Sequence, residues 1–263
     1  MNLTGRRALV TGATGGIGQA IARQLTSAGA RVTLSGRRVD VLDQLAAELG
    51  AELLAADLAD RSQVESLARS CLDVDVLVAN AALPASGELS SFSLEQIDRA
   101  LDVNLRAPIV LARALTAAMV ERGAGHVVLV SSTAGKTTAP GSSLYSATKF
   151  GLRGFGQALR SDLRETGVGV SVVFPGFIRD AGMLHDSGAQ LPAYVGTKTP
   201  QHVAAAVLRA IVRDHGEVDV APASVRAGVK FAELAPAMSA RLTRRLGGAE
   251  ISRRIASGQV EKR

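Results

Sequence analysis

The chain has 263 residues, 47% of them hydrophobic, and a formal net charge of +6, which provides apolar material for one large domain or two small ones. A single cysteine, Cys71, excludes an internal disulfide, and the scattered histidines His126, His185, His202 and His215, with no cysteine partners, exclude a zinc-type cluster, so no metal is expected. The body carries no basic face with stacking or groove-reading elements, which argues against a nucleic-acid partner.

At the N-terminus, Arg6 and Arg7 precede an apolar run that stops at Thr11-Gly12, too short for the core of a signal peptide. No stretch reaches the roughly 20 apolar residues of a membrane span. A soluble, cytoplasmic protein is the expectation. The first predicted strand, 6–11, runs into a glycine-rich turn and a predicted helix over 16–28, with Ile17, Ile21 and Leu25 at helical spacing. Strands at 31–35 and 52–56 follow, with helices over 39–49 and 62–71, the latter capped by Asp60. A fourth strand over 74–79 precedes a long predicted helix over 94–121, capped by Ser93. Then come a strand at 125–130, a helix over 143–166, a strand at 167–174, a helix over 200–214 and a seventh strand at 217–221. Strands alternating with helices of this length predict an α/β fold: one Rossmann-like, doubly wound parallel sheet of about seven strands. Residues 1–222 read as a dinucleotide-binding catalytic domain and 223–263 as a C-terminal helical extension.

Three stretches carry chemistry. The turn Thr11-Gly12-Ala13-Thr14-Gly15-Gly16-Ile17-Gly18 lies between a strand and a helix. Glycines there let a pyrophosphate approach the backbone, and the helix N-terminus offers unpaired N–H groups and a positive dipole end. Second, Tyr145 and Lys149 are four residues apart, so on a helix they share a face. An ammonium beside a phenol favours the phenolate, which predicts a Tyr145 pKa drawn down toward the working range of an acid/base catalyst. Third, Ser35-Gly36-Arg37-Arg38 ends the second strand without an acid. An acid there would hold the ribose 2′-hydroxyl of NAD, whereas two guanidiniums suit the 2′-phosphate of NADP. NADP is therefore expected, with NAD as the alternative.

The spacing T-G-x-x-x-G-x-G resembles the short-chain dehydrogenase/reductase family. Asp57 after the third strand, Ala79-Asn80-Ala81-Ala82 after the fourth and Pro175-Gly176 after the sixth fall where that family has its motifs. Asn104, Ser132, Tyr145 and Lys149 fall where its catalytic tetrad lies. The resemblance spans roughly residues 3–222. It implies hydride transfer between a nicotinamide and a carbonyl or secondary alcohol, with Tyr145 as general acid/base. Lys149 would hold the nicotinamide ribose, Ser132 would bind the carbonyl oxygen, and Asn104 would hold a water linking Lys149 to solvent. The implied cofactor contacts are Gly12, Thr14, Gly16, Ile17, Gly18, Arg37, Arg38, Asp57, Leu58, Asn80, Tyr145, Lys149, Pro175, Gly176 and Ile178. Three positions depart from the pattern: Ala82 replaces a glycine, Ala79 an asparagine, and Asp180 stands where a threonine is usual. A cofactor-binding sensor or scaffold with the same fold but no turnover is the competing reading. The intact Ser132, Tyr145 and Lys149 argue against it. A sugar-nucleotide epimerase or dehydratase is a third reading, and its T-G-x-x-G-x-x-G spacing is not matched.

A small-molecule substrate of largely apolar character is expected. Residues 178–199 are expected to cover the nicotinamide, with Met183, Leu184, Leu191 and Tyr194 as wall, beside Leu83, Ala139 and Leu144. Arg179, Asp180 and His185 are its polar candidates. Leu111, Leu115, Phe150, Phe155 and Leu159 are expected to form partner-facing stripes on the two long helices. The family's habit of pairing these helices implies a homodimer or homotetramer. From Pro236 onward the chain carries seven basic and two acidic residues, five of its six net charges. Met238, Leu242, Leu246 and Ala249 repeat at i, i+4, giving a short basic amphipathic helix broken at Gly247-Gly248. It is expected to pack on the protein, with weak peripheral membrane contact as a secondary role.

Overall fold

A computed structural model describes residues 1–188, 195–245, 253–254 and 256–259. Seven parallel strands form one sheet in the order β3-β2-β1-β4-β5-β6-β7. They are β1 Arg7–Thr11, β2 Arg31–Gly36, β3 Glu52–Ala55, β4 Val76–Ala79, β5 Gly125–Val130, β6 Val168–Pro175 and β7 Glu217–Val220. Alternation along each strand feeds two cores, as the two-residue side-chain period requires. Ala8, Val10, Val76, Val78 and Val128 face one; Leu9, Leu77, Val127 and Leu129 face the other.

Helices α1 (Gly16–Ser27), α2 (Val39–Leu49) and α8 (Pro200–Arg213) cover the first face through Ile21, Leu25, Leu42, Val203 and Ile211. Helices α3 (Arg61–Ser70), α5 (Ala107–Glu121) and α6 (Ser143–Asp162) cover the second through Val64, Leu67, Leu111, Met119 and Leu152. β1 pairs with β2 on one side and β4 on the other, so the connections diverge there and open a crevice at the strands' C-terminal ends.

The predicted element order holds, with local corrections. Asp60 caps α3 as expected, accepting from the backbone of Ser62 and Gln63, and Ser93 forms a capping box with Gln96. The helix predicted over 94–121 is α4 (Leu94–Leu101), a π-helical turn at Asp102–Arg106, and α5. Pro108 explains the widened turn. It has no N–H, so the carbonyl of Asn104, four residues earlier, receives no α-helical hydrogen bond. Contrary to the sequence reading, Leu94–Glu121 is long and apolar enough to cross a membrane, but half of the window that passes this test is buried within the fold. Helix α6 stops at Asp162 rather than residue 166, and the chain turns through left-handed backbone at Glu165 (φ 71°) and Gly167 (φ 80°).

Leu111 and Leu115 are fully buried and face the sheet, so they cannot form a partner-facing stripe. Leu94, Leu101, Val120 and Phe150 are the exposed large apolar residues of these helices. Helices α7 (Gly182–Ser187) and α9 (Ala223–Leu234) are additions to the sequence reading. Gly228 at the middle of α9 weakens its helical signal. The basic helix predicted in the tail is α10, Pro236–Arg245, whose Met238 is exposed. The side chain of Leu242, together with Leu246, Gly247, Gly248 and Ala249, lies outside the described residues, as do Leu191 and Tyr194.

Candidate active site

The sheet delivers the chemistry-bearing residues to one edge. Gly12, Thr14, Gly16, Ile17 and Gly18 follow β1, Arg37 and Arg38 follow β2, and Asp57 and Leu58 follow β3. Asn80 follows β4, Ser132 follows β5, and Gly176 and Ile178 follow Pro175, the last residue of β6.

The glycine-rich turn fits a dinucleotide. Gly12 adopts left-handed backbone at φ 65°. A Cβ on Gly18 would lie 2.2 Å from the Gly12 carbonyl oxygen, and one on Gly36 would lie 2.9 Å from Thr14 Cγ2. These glycines keep the backbone packed and leave the space above it clear. Helix α1 starts at Gly16 without a side-chain cap or an acidic residue in its first turn, so its first N–H groups are left for an anion. Asn80 braces this turn: its Nδ2 donates to the carbonyls of Thr11 (3.1 Å) and Gly12 (3.3 Å). Thr11 Oγ1 in return accepts from the backbone N–H groups of Asn80 and Ala81. Gly18→Ala is expected to force backbone against backbone. An overpacked site of this kind costs about 1–3 kcal/mol, so calorimetry should show a lower melting temperature and titration a loss of NADPH binding. An unchanged NADPH affinity would refute the assigned role of the turn.

At the far end of the crevice, Arg38 donates to the Thr14 carbonyl and so closes over the turn. Arg37 Nη1 lies 4.0 Å from Asp57 Oδ2, and Arg99 Nη2 lies 3.8 Å from the same oxygen. Arg99 was not singled out by the sequence, because its approach to residue 57 is purely tertiary. Ser35 Oγ, 1% exposed, has no partner. Two guanidiniums and an unsatisfied hydroxyl at the end of β2 fit the phosphorylated ribose of NADP.

The Tyr145 end is held by α6. Tyr145 packs against Ala85 and Leu144 in a small cluster of its own, and its backbone N–H donates to the Ala85 carbonyl. Its hydroxyl interacts with the Ser132 side chain, which favours its ionised form. Ser132 Oγ also accepts from the Ala134 N–H at 3.1 Å, leaving its own proton available to donate. Lys149 is 1% exposed; its Nζ donates to the Val130 carbonyl at 3.1 Å and lies 5.6 Å from the centre of the Tyr145 ring.

The expected depression of the Tyr145 pKa is not what this arrangement produces. Burial pushes the phenol up to about 12, and the Ser132 interaction counters this only in part. Burial likewise draws the Lys149 ammonium down to about 8. The desolvation of each charged form outweighs the attraction between them.

Asn104 is fully buried in the π-helical turn. Its Oδ1 accepts from the Leu83 N–H at 2.7 Å and its Nδ2 donates to the Leu83 carbonyl at 2.9 Å. Its amide therefore holds the segment after β4. Asp180 takes left-handed backbone at φ 69° and is exposed beside Arg179. Lys136, four residues after Ser132, escaped the sequence reading. It is buried, with Nζ 2.8 Å from Asp219, 3.0 Å from Glu217 and 3.9 Å above the Phe174 ring, and it ties the Ser132 turn to β7. A cavity of about 760 Å³ opens at the opposite end of the sheet, beside Arg6, His126 and Gly169. Its Arg160 and Asp214 are already paired with each other, and none of the residues above lines it.

A family model described as short chain dehydrogenase matches residues 6–192. The chain belongs to the short-chain dehydrogenase/reductase family. This oxidoreductase is similar to the ketoacyl reductase HetN of Nostoc sp., at 33% identity over 98% of this chain and 95% of the relative. Among solved structures it resembles a serine dehydrogenase complexed with NADP+, at 31% identity and a TM-score of 0.74 over 83% of this chain and 95% of that one. It also resembles a short-chain dehydrogenase from Sphingobium yanoikuyae in complex with NADPH, at 26% identity and a TM-score of 0.77 over 87% and 93%. Within the family frame, the glycine-rich turn and the Ser132, Tyr145 and Lys149 group occupy the two ends of one crevice.

Proposed function

We propose that this family member is an NADP(H)-dependent ketoreductase acting on the carbonyl, or secondary alcohol, of a largely apolar small molecule. The observation that carries this reading is the meeting of Tyr145, Ser132 and Lys149, whose Nζ lies 5.6 Å from the Tyr145 ring centre, with the glycine-rich turn also at the C-terminal ends of the strands. The NADP(H) complexes of the two solved relatives and the Arg37–Arg38 pair support the choice of cofactor. The ketoacyl reductase relative supports the choice of reaction.

Bound NADPH supplies a hydride to the carbonyl carbon. The chain's own residues do the rest. Ser132 donates its hydroxyl proton to the carbonyl oxygen and stabilises the alkoxide as it forms. Tyr145, protonated across the neutral range, transfers its phenolic proton to that oxygen. Lys149 holds the ribose hydroxyls and stabilises the phenolate left behind. Asn104 places the water through which Lys149 exchanges protons with solvent. A screen of ketones and secondary alcohols with both cofactors, followed by nicotinamide absorbance, tests the reading. Reduction with NADPH is expected, and absence of turnover on every carbonyl class tried would overturn it.

The buried pair leaves a signature in stability. Lys149 has a folded pKa of about 8, below the ordinary lysine value of about 10.4. Its contribution is therefore complete above the unfolded value and is lost as pH falls through about 8. Tyr145 acts oppositely and higher: its stabilisation is lost as pH climbs through about 12. Lys149→Met removes the first effect. Its melting temperature should exceed the parent's most at neutral pH, with the gap closing toward pH ~10. A gap independent of pH would show that the ammonium is not penalised by burial.

Assembly is expected to use the exposed apolar residues of α4, α5 and α6, among them Leu101, Val120 and Phe150. A homodimer or homotetramer should appear in light scattering at micromolar concentration, and a monomer would refute this.

A further inference from the structure

The segment between β6 and α8 leaves the sheet through a closed neck. Arg179 N–H donates to the Lys198 carbonyl and Lys198 N–H to the Phe177 carbonyl, both at 2.9 Å. Within this excursion, α7 is held at both ends. At its start, a Cβ on Gly16 would lie 2.5 Å from Ala181 Cβ, and one on Gly182 would lie 3.3 Å from Ile17 Cδ1. The first turn of α7 therefore rests on the glycine-rich turn. The C-terminal turn meets it both in its first turn, at Met183, and at its last residue, Ser187. Gln259, 1% exposed, donates from Nε2 to the Met183 carbonyl at 2.9 Å. Gly258 lies so close that a Cβ there would sit 2.1 Å from the Ser187 carbonyl oxygen. Ala256 is buried in the same turn.

We propose that residues 256–259 form part of the substrate site: they are the outer support of α7, and Gly258 and Gln259 set the position of that helix for the substrate. The inference rests on the ketoreductase reading, in which the stretch 178–199, α7 included, covers the nicotinamide with Met183 and Leu184 as wall. The spacing of contacts favours it over a purely structural tail. One six-residue helix is seated on the cofactor turn at its start and clasped by the C-terminal turn at Met183 and Ser187, so displacement of either neighbour moves it. The docking is also left incomplete. Gln259 Oε1 is buried without a partner, and an unpaired buried acceptor penalises the docked arrangement. The turn therefore lifts more readily than a fully satisfied contact would. Gln259 and Gly258 act through α7 and are positioning residues.

Two point variants test this without deleting the tail. Gly258→Ala places a methyl group against backbone; Gln259→Leu removes the hydrogen bond at similar volume. Gly228→Ala on α9, where a Cβ meets nothing within 4 Å, is the control. With NADPH and a ketone that the parent reduces, each test variant should raise KM by roughly tenfold, the scale of one lost hydrogen bond. The dissociation constant of NADPH should stay near the parent's, the melting temperature should fall less than in Gly18→Ala because the terminal turn can lift away, and Gly228→Ala should keep the parent's KM. A lower melting temperature with unchanged KM would overturn the proposal in favour of a structural tail. Equal weakening of ketone and NADPH would overturn it in favour of a cofactor role. Hydrogen exchange gives a readout that does not depend on turnover. The amides of Met183 and Ser187 should exchange faster in Gly258→Ala than in the parent, and unchanged rates there overturn the proposal. Failure of the parent to reduce any ketone overturns the ketoreductase reading instead, and the exchange result still decides whether the turn supports α7.

Discussion

Tyr145→Phe is expected to lower turnover by roughly 10²–10⁴-fold, the usual scale for a removed general acid/base, while NADPH still binds. The substitution deletes one oxygen and leaves the ring in place, so the packing with Ala85 and Leu144 persists and the melting temperature should change little. What disappears is the phenolic oxygen that interacts with Ser132 and the proton it carries. Because burial holds this phenol in its protonated form, the parent's carbonyl reduction should not fade as pH rises from neutral for want of a proton on Tyr145. Single-turnover measurement of ketone reduction with saturating NADPH is the direct check. Near-normal turnover by the phenylalanine variant would remove Tyr145 from the mechanism.

Removal of both Arg37 and Arg38 should abolish discrimination between the two nicotinamide cofactors. Arg38 lies against the Thr14 carbonyl and Arg37 faces Asp57 across 4.0 Å, so both must reorient to meet a 2′-phosphate. Arg37 is half exposed, which favours the low end of the range for a charge-assisted hydrogen bond. At about 1.5 kcal/mol for each, the pair is worth roughly a hundredfold in affinity. The parent is therefore expected to bind NADPH roughly a hundredfold more tightly than NADH. The Arg37→Ala, Arg38→Ala double variant should bind the two about equally, chiefly through loss of NADPH affinity. Calorimetric titration measures both constants, and equal affinities in the parent would sink the assignment.

Much of this was legible without coordinates. The strands announce themselves as short apolar runs because both faces of a parallel sheet are buried. The helices between them show their 3.6-residue period, and the first turn needs glycine for steric reasons that are local: left-handed backbone at Gly12 and the tight approach of Gly18. Tyr145 and Lys149 share a face through spacing alone. Helix α9 was less legible, because a central glycine blurs its period. The interruption of the 94–121 helix was also missed, although its cause, Pro108, stands in the sequence.

What only the tertiary structure decided is set by distance along the chain and by burial. Arg99 approaches Asp57 across 42 residues, Lys136 reaches Asp219 across 83, and Gln259 reaches Met183 across 76. No periodicity or turn signal couples positions so far apart. The Tyr145 pKa is the clearest case. A four-residue spacing predicts an ammonium beside a phenol and hence an easier ionisation. The folded environment reverses the sign, because the protein packed around Tyr145 desolvates the phenolate while the ammonium, itself desolvated, is bonded to the Val130 carbonyl. Spacing determines which groups meet; the medium they meet in belongs to the whole fold.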